Sequence, residues 1–152
     1  MDESPTVKPR AAGEEIFHLV HDTGIGTYMP GALPNYQMDL DAEARAAIAD
    51  GRWGIPVDPS VQDWLEELEQ EDSLAQEYIA SVIDSYYGLW GPWDEGDGGM
   101  WGVYIAKTRP DVEDLDPVGA QLLLDFLSQD IHTEFRLANS LSDDFDMAFD
   151  SA

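Results

Sequence analysis

Cysteine is absent from this chain, which excludes disulfides, thiolate nucleophiles and cysteine-ligated zinc. Basic residues are scarce: 7 Lys and Arg stand against 32 Asp and Glu, for a formal net charge of -25 at pH 7. The only lysines are Lys8 and Lys107, and no basic residue falls between Arg52 and Lys107 or after Arg136. A surface of this sign repels nucleic acid and anionic membrane, so neither is an expected direct ligand. No stretch approaches the roughly 18 apolar residues that a membrane-spanning helix needs. The opening MDESPTVKPR has no apolar signal core, so the expectation is a soluble, cytoplasmic protein. Neither a Gly-Lys phosphate loop nor a G-x-S-x-G elbow is present, and with carboxylates everywhere no acid/base pair stands out. The expectation is therefore of no catalytic residue, no cofactor and no metal.

What is present is enough apolar material to fold. Hydrophobic residues make up 43% and aromatics 11% of the 152 residues, which argues against wholesale disorder and fits one core. The expected organisation is a mobile N-terminal arm over 1–13, a single globular domain over 14–138, and an acidic, partly disordered tail over 139–152. Its expected class is α+β: one compact, mainly helical domain with a β-hairpin at about 88–106 packed on the helices.

Local signals place the elements. Residues 14–21 read as a short helix, and the glycines and prolines of 22–40 as a loop wrapped over the core. Asp41 is a candidate cap for a small helix over 42–50 that Gly51 ends. Asp58-Pro59 is a strong helix start, followed by Val61, Trp64, Leu65 and Leu68 at helical spacing. An apolar face resumes at Leu74 and runs to Tyr86, leaving open one kinked helix or two. In WGPWDEGDGGMWGVYIA the glycines oppose helix, and Trp101, Val103 and Ile105 alternate with Met100, Gly102 and Tyr104. That alternation predicts the hairpin, with its turn near 94–99. The segment 107–114 reads as a polar connection. Asp116-Pro117 opens the most strongly amphipathic run, whose apolar face extends through Ile131 to Phe135.

Function is sought in the one-signed charge. Asp63, Glu66, Glu67 and Glu71 recur on the outer face of the helix after Asp58, with carboxylates about 5–6 Å apart. That repeat is of the same order as phosphates along a nucleic-acid strand, roughly 3.4 Å of rise each. No Lys or Arg at i+4 balances them, so the face repels itself and stabilises nothing on its own. Asp94, Glu95 and Asp97 extend the field into the aromatic loop. In the tail, Asp143 and Asp144 accompany Phe145 and Phe149, a mixture suited to folding against a partner. Together these residues point to a basic protein partner, most plausibly one that handles DNA or RNA. Two settings fit: a nucleic-acid mimic that inhibits a host defence system, or an immunity protein against a basic toxin.

Blander readings compete. Acidity with few lysines also fits bulk adaptation of a housekeeping protein or small enzyme to a salty cytoplasm. The tryptophan-rich turn also fits a carbohydrate- or metal-binding module, although residues such as Trp90, Trp93 and Trp101 are more often core. A calcium loop counted from Asp94 would need glutamate at its twelfth position, where Ile105 stands. His18 and His21 would need His132 or Glu134 to hold zinc.

Overall fold

A computed structural model describes residues 20, 35–91, 93 and 96–131. Helix α1 (Tyr36–Ala49) puts Tyr36, Leu40, Ala44 and Ala47 on one buried stripe. This helix begins earlier than the capping signal at Asp41 implied. Asp41 lies inside it and binds Arg45 one turn on, while the start is set at Asn35, whose φ of 73° places it in the left-handed region. The expected stop holds, with Gly51 left-handed at φ 70°.

Helix α2 (Pro59–Glu71) starts as its sequence dictates: Asp58 accepts from the backbone N–H groups of Ser60 and Val61 at 2.9 and 3.1 Å, and Pro59 occupies the first turn. Val61, Leu65 and Leu68 are buried. The chain then breaks at Asp72, left-handed at φ 57°, and restarts as α3 (Leu74–Tyr86). Two helices are therefore formed rather than one kinked helix. Helix α3 buries Leu74, Ala75, Tyr78, Ile79, Ala80, Ser81, Val82, Ser85 and Tyr86. A helix buried on so many sides is a central one, and α3 packs against α1, α2, α4 and α5.

The α+β expectation is overturned. No strand occurs among the described residues, and 88–106 is not a hairpin. Turns follow α3, then a 3-10 turn covers Met100–Gly102, and pairing is limited to isolated bridges of Tyr104 with Trp53 and with Gly99. Two physical facts account for this. Met100, Trp101 and Gly102 all have positive φ, at 45°, 54° and 92°, which extended backbone does not tolerate. Burial does not follow the alternation either: Met100, Tyr104 and Ala106 are buried, Trp101 is exposed, and Val103 and Ile105 are partly buried against the core.

The supposed connection after Lys107 holds helix α4 (Arg109–Leu115). Its start is fixed by Asp111, whose carboxylate accepts from the Thr108 N–H and hydroxyl at 2.9 and 2.7 Å. Helix α5 (Pro117–Leu124) opens at Asp116 as expected but ends far short of Phe135. Tertiary donors take the carbonyls that a longer helix would have used. Arg109 reaches Gln129 O at 2.9 Å and Ile131 O at 3.2 Å, and the Tyr87 hydroxyl donates to Ser128 O at 2.9 Å. The expected apolar stripe is not buried throughout: Val118, within α5, is 50% exposed and Ile131, beyond it, is 46% exposed. The described helices share one core centred on Trp53, Tyr78, Ile79, Val82, Tyr104 and Leu123. Among the described residues, no helix is long and apolar enough to cross a membrane.

Candidate functional site

The outer face of α2 is built by the same period that buries its inner one. With Val61, Leu65 and Leu68 turned inward, Asp63, Glu66, Glu67 and Glu71 are all exposed. None of these carboxylates is paired with a cation among the described residues. Asp97 is also exposed, on the glycine-rich loop rather than on α2. Asp94 and Glu95 lie outside the described residues, as do Asp143, Asp144, Phe145 and Phe149. The expected arm over 1–13, the helix over 14–21 except Val20, and the candidate zinc ligands His18, His21, His132 and Glu134 fall outside them too.

The positive charges are disposed quite differently. Arg45 forks onto Glu69 and also holds Asp41, its Nε to Oδ2 distance being 2.9 Å, and so ties α1 to α2. Arg52 donates to Glu43 at 2.6 Å and to Asp116. Lys107 donates to Gly96 O at 2.9 Å, with its ammonium 5.5 Å from the centre of the Trp93 ring. Arg109 holds the three carbonyls of Tyr86, Gln129 and Ile131, with its guanidinium 4.4 Å from the Tyr86 ring centre. Each described cation thus has a partner within the chain, and Glu69 of α2 is one of them, while Asp63, Glu66, Glu67 and Glu71 pair with no described cation. Folding sharpens the asymmetry already present in the composition.

Asp116, which the sequence marked only as a helix cap, is fully buried. Its Oδ2 accepts from the Tyr78 hydroxyl at 2.7 Å and the Tyr104 hydroxyl at 2.9 Å. Its Oδ1 accepts from Arg52 and from the Gly119 N–H at 3.4 Å. Burial first, and then the Asp116 charge, raise the pKa of both tyrosines above the ordinary phenol value. Burial acts to lower Arg52, but the Glu43 bond and the charges of Asp116 and Glu43 outweigh it and raise the guanidinium. With its side chain fully buried and both oxygens accepting from donors, Asp116 joins α3, α5, Arg52 and the segment that carries Tyr104 rather than meeting a substrate.

A polar groove of about 470 Å³ runs between α1 and the α2–α3 junction, lined by Met38, Arg45, Glu69, Glu71, Asp72 and Gln76 among others. Among the described residues, no cluster of three or more Asp, Glu or His side chains is arranged to hold a metal ion.

The tryptophans divide by environment. Trp53 is fully buried, its Nε1 donating to Ser81 Oγ at 3.0 Å, and Trp90 is also in the core. Trp93 is half-buried, and Trp101 is 50% exposed. The turn that carries Trp101 is fixed on both sides. Gly99 N–H donates to Tyr104 O at 2.9 Å, Tyr104 N–H returns a bond to Gly99 O at 3.2 Å, and Gly102 N–H donates to Gly99 O at 2.9 Å. Glycine is required beside it, because a Cβ on Gly98 would sit 2.3 Å from Tyr104 O. Left-handed conformation at non-glycine residues stores about 1–3 kcal/mol each, and here Met100 and Trp101 adopt it in succession. The signal for this turn in the sequence is the G-M-W-G step after Gly98, which alternation had masked.

No protein-family model, curated protein or solved structure matches the chain.

Proposed function

We propose that this chain is a non-enzymatic binding protein that occludes the basic surface of a nucleic-acid-handling protein. Either setting meets that description: a nucleic-acid mimic directed at a host defence system, or an immunity protein that neutralises a basic toxin. The observation that supports it is the contrast described above. The row Asp63, Glu66, Glu67 and Glu71 is exposed and pairs with no described cation, whereas Arg45, Arg52, Lys107 and Arg109 are each bonded to other groups of the chain, Arg45 at the surface. Self-repulsion along α2 lowers the stability of the free protein. A cationic surface laid along the row relieves that repulsion and gains electrostatic steering during encounter. Asp94, Glu95 and Asp97 are the proposed continuation of this surface, with Asp143, Asp144, Phe145 and Phe149 as a second anchor.

The test is calorimetric titration of the full chain into a panel of basic nucleases and toxins over a range of salt. Affinity should fall by roughly tenfold or more between about 50 and 200 mM salt, as for a surface releasing several counterions. Neutralising the row as Asp63→Asn, Glu66→Gln, Glu67→Gln and Glu71→Gln should flatten that dependence. Complexes insensitive to both salt and neutralisation would refute the reading. Unfolding at low ionic strength with rescue by molar salt, and no basic partner bound, would instead identify the acidity as adaptation to a salty cytoplasm.

A further inference from the structure

The groove between α1 and the α2–α3 junction shows, in the chain's own residues, which charge it takes. Arg45 of α1 lines it and is forked onto two carboxylates that line it too, Asp41 of the same helix and Glu69 of α2, with Nε on Asp41 Oδ2 at 2.9 Å and Nη2 on Glu69 Oε2 at 3.2 Å. Four hydrogen bonds commit the guanidinium to that pair. Glu71 and Asp72 line the same groove. Both are exposed, and neither pairs with a described cation.

Independent features select the same kind of occupant. The last turn of α2, which supplies Glu69 and Glu71, has no basic residue of its own, although the carbonyl end of a helix dipole attracts positive charge. The lining is not wholly polar: Met38 of α1 is 70% exposed there, and the buried Leu74 and Ala75 of α3 take part as well. Carboxylates beside apolar carbon suit a lysine or arginine side chain, whose methylene stem covers apolar surface while its head keeps its charge. The volume of about 470 Å³ falls within the roughly 300–1,000 Å³ of clefts that hold ligands. Glu71 is also the last carboxylate of the exposed α2 row, so the groove lies at one end of the surface proposed above to meet a basic partner.

We propose that this groove receives a long basic side chain of the partner protein, with the charged head at Glu71 and Asp72 and the stem along Met38. This deepens the reading given above and rests on it. The experiment titrates the full chain with a short arginine peptide at about 100 mM salt, where the Debye length is about 10 Å, following backbone amide shifts by NMR and affinity by calorimetry. The amides of Met38, Glu71, Asp72 and Leu74 should shift most. Met38→Arg fills the groove with a cation of the chain itself. Val57→Arg makes the same change of net charge at a residue 80% exposed that does not line the groove. It precedes the start of α2, whereas the groove lies at the end of that helix, about 20 Å away along the axis. Met38→Arg should weaken the peptide roughly two- to tenfold, the loss of two exposed ion pairs, and Val57→Arg by less than about twofold, since its charge is screened. Equal weakening by the two variants, or shifts confined to Asp63, Glu66 and Glu67, overturns the groove and leaves the basic-partner reading intact. Shifts of the groove amides on concentrating the chain without peptide assign the groove to a second copy and overturn the proposal in the same way. Failure of the unaltered chain to bind the peptide at all overturns both readings.

Discussion

Replacing Asp116 by asparagine tests whether the buried carboxylate holds the helices together. The side chain keeps its shape but loses its charge and exchanges one acceptor oxygen for an NH2 donor. At one end Asp116 faces Arg52 and the Gly119 N–H, neither of which can accept a hydrogen bond. The asparagine amide must therefore turn its NH2 toward the hydroxyls of Tyr78 and Tyr104. Each hydroxyl then becomes an acceptor, and its own proton loses its buried acceptor. Arg52 loses one anion but keeps Glu43 at 2.6 Å and Asp50 at 3.3 Å. Breaking a buried ion pair destabilises by about 3–5 kcal/mol, and the surviving partners of Arg52 place the expected loss near the lower end, about 3 kcal/mol. Since a domain of this size has only about 5–15 kcal/mol of stability, the change is large. At roughly 3–4 °C per kcal/mol, Tm should drop by about 10 °C. Urea titration followed by circular dichroism should move the midpoint to lower urea with the slope unchanged. Combining Asp116→Asn with Tyr104→Phe should cost less than the sum of the single changes, because both act on one network. A Tm within about 2 °C of the unaltered chain, or strict additivity of the pair, would refute the assignment of a fold-holding role to Asp116.

The acidic face of α2 sets stability against binding. Glu67→Lys places a cation four residues from both Asp63 and Glu71, so two repulsive pairs become attractive. Stability at low salt should rise by about 1 kcal/mol by urea titration, while affinity for a basic partner falls. A Cβ on Gly98 meets backbone, at 2.3 Å from Tyr104 O, so Gly98→Ala should cost about 1–3 kcal/mol by urea titration. Tyr78 and Tyr104 have folded pKa values raised by burial and by Asp116. Their contribution to stability is complete below the unfolded value of about 10 and is lost as pH rises beyond it. Alkaline titration should show tyrosinate absorbance from these residues appearing only together with loss of helical circular dichroism. The Asp58 pKa is lowered by its bonds to Ser60 and Val61, so its cap stabilises above the ordinary carboxylate pKa and fails as pH falls below it. Asp58→Ala should remove that part of the acid sensitivity, as measured by Tm against pH.

What was legible in the sequence was local. The Asp58-Pro59 and Asp116-Pro117 starts, the left-handed stop at Gly51 and the two faces of α2 depend on residues within one helical turn, and the short peptide segment itself dictates them. The one-signed charge is a matter of counting. Tertiary structure decided the rest. The chain beyond α5 is held by Arg109 and Tyr87 through the carbonyls of Ser128, Gln129 and Ile131, and the failed hairpin goes with Met100 and Tyr104 entering the core while Trp101 stays outside. The role of Asp116 depends on Tyr78 and Arg52, 38 and 64 positions away. The committed state of every described cation likewise appears only once its partners are assembled. Hydrogen-bond capacity and charge belong to a residue, but the partner that satisfies them is chosen by packing, and along this chain the decisive partners are distant in sequence.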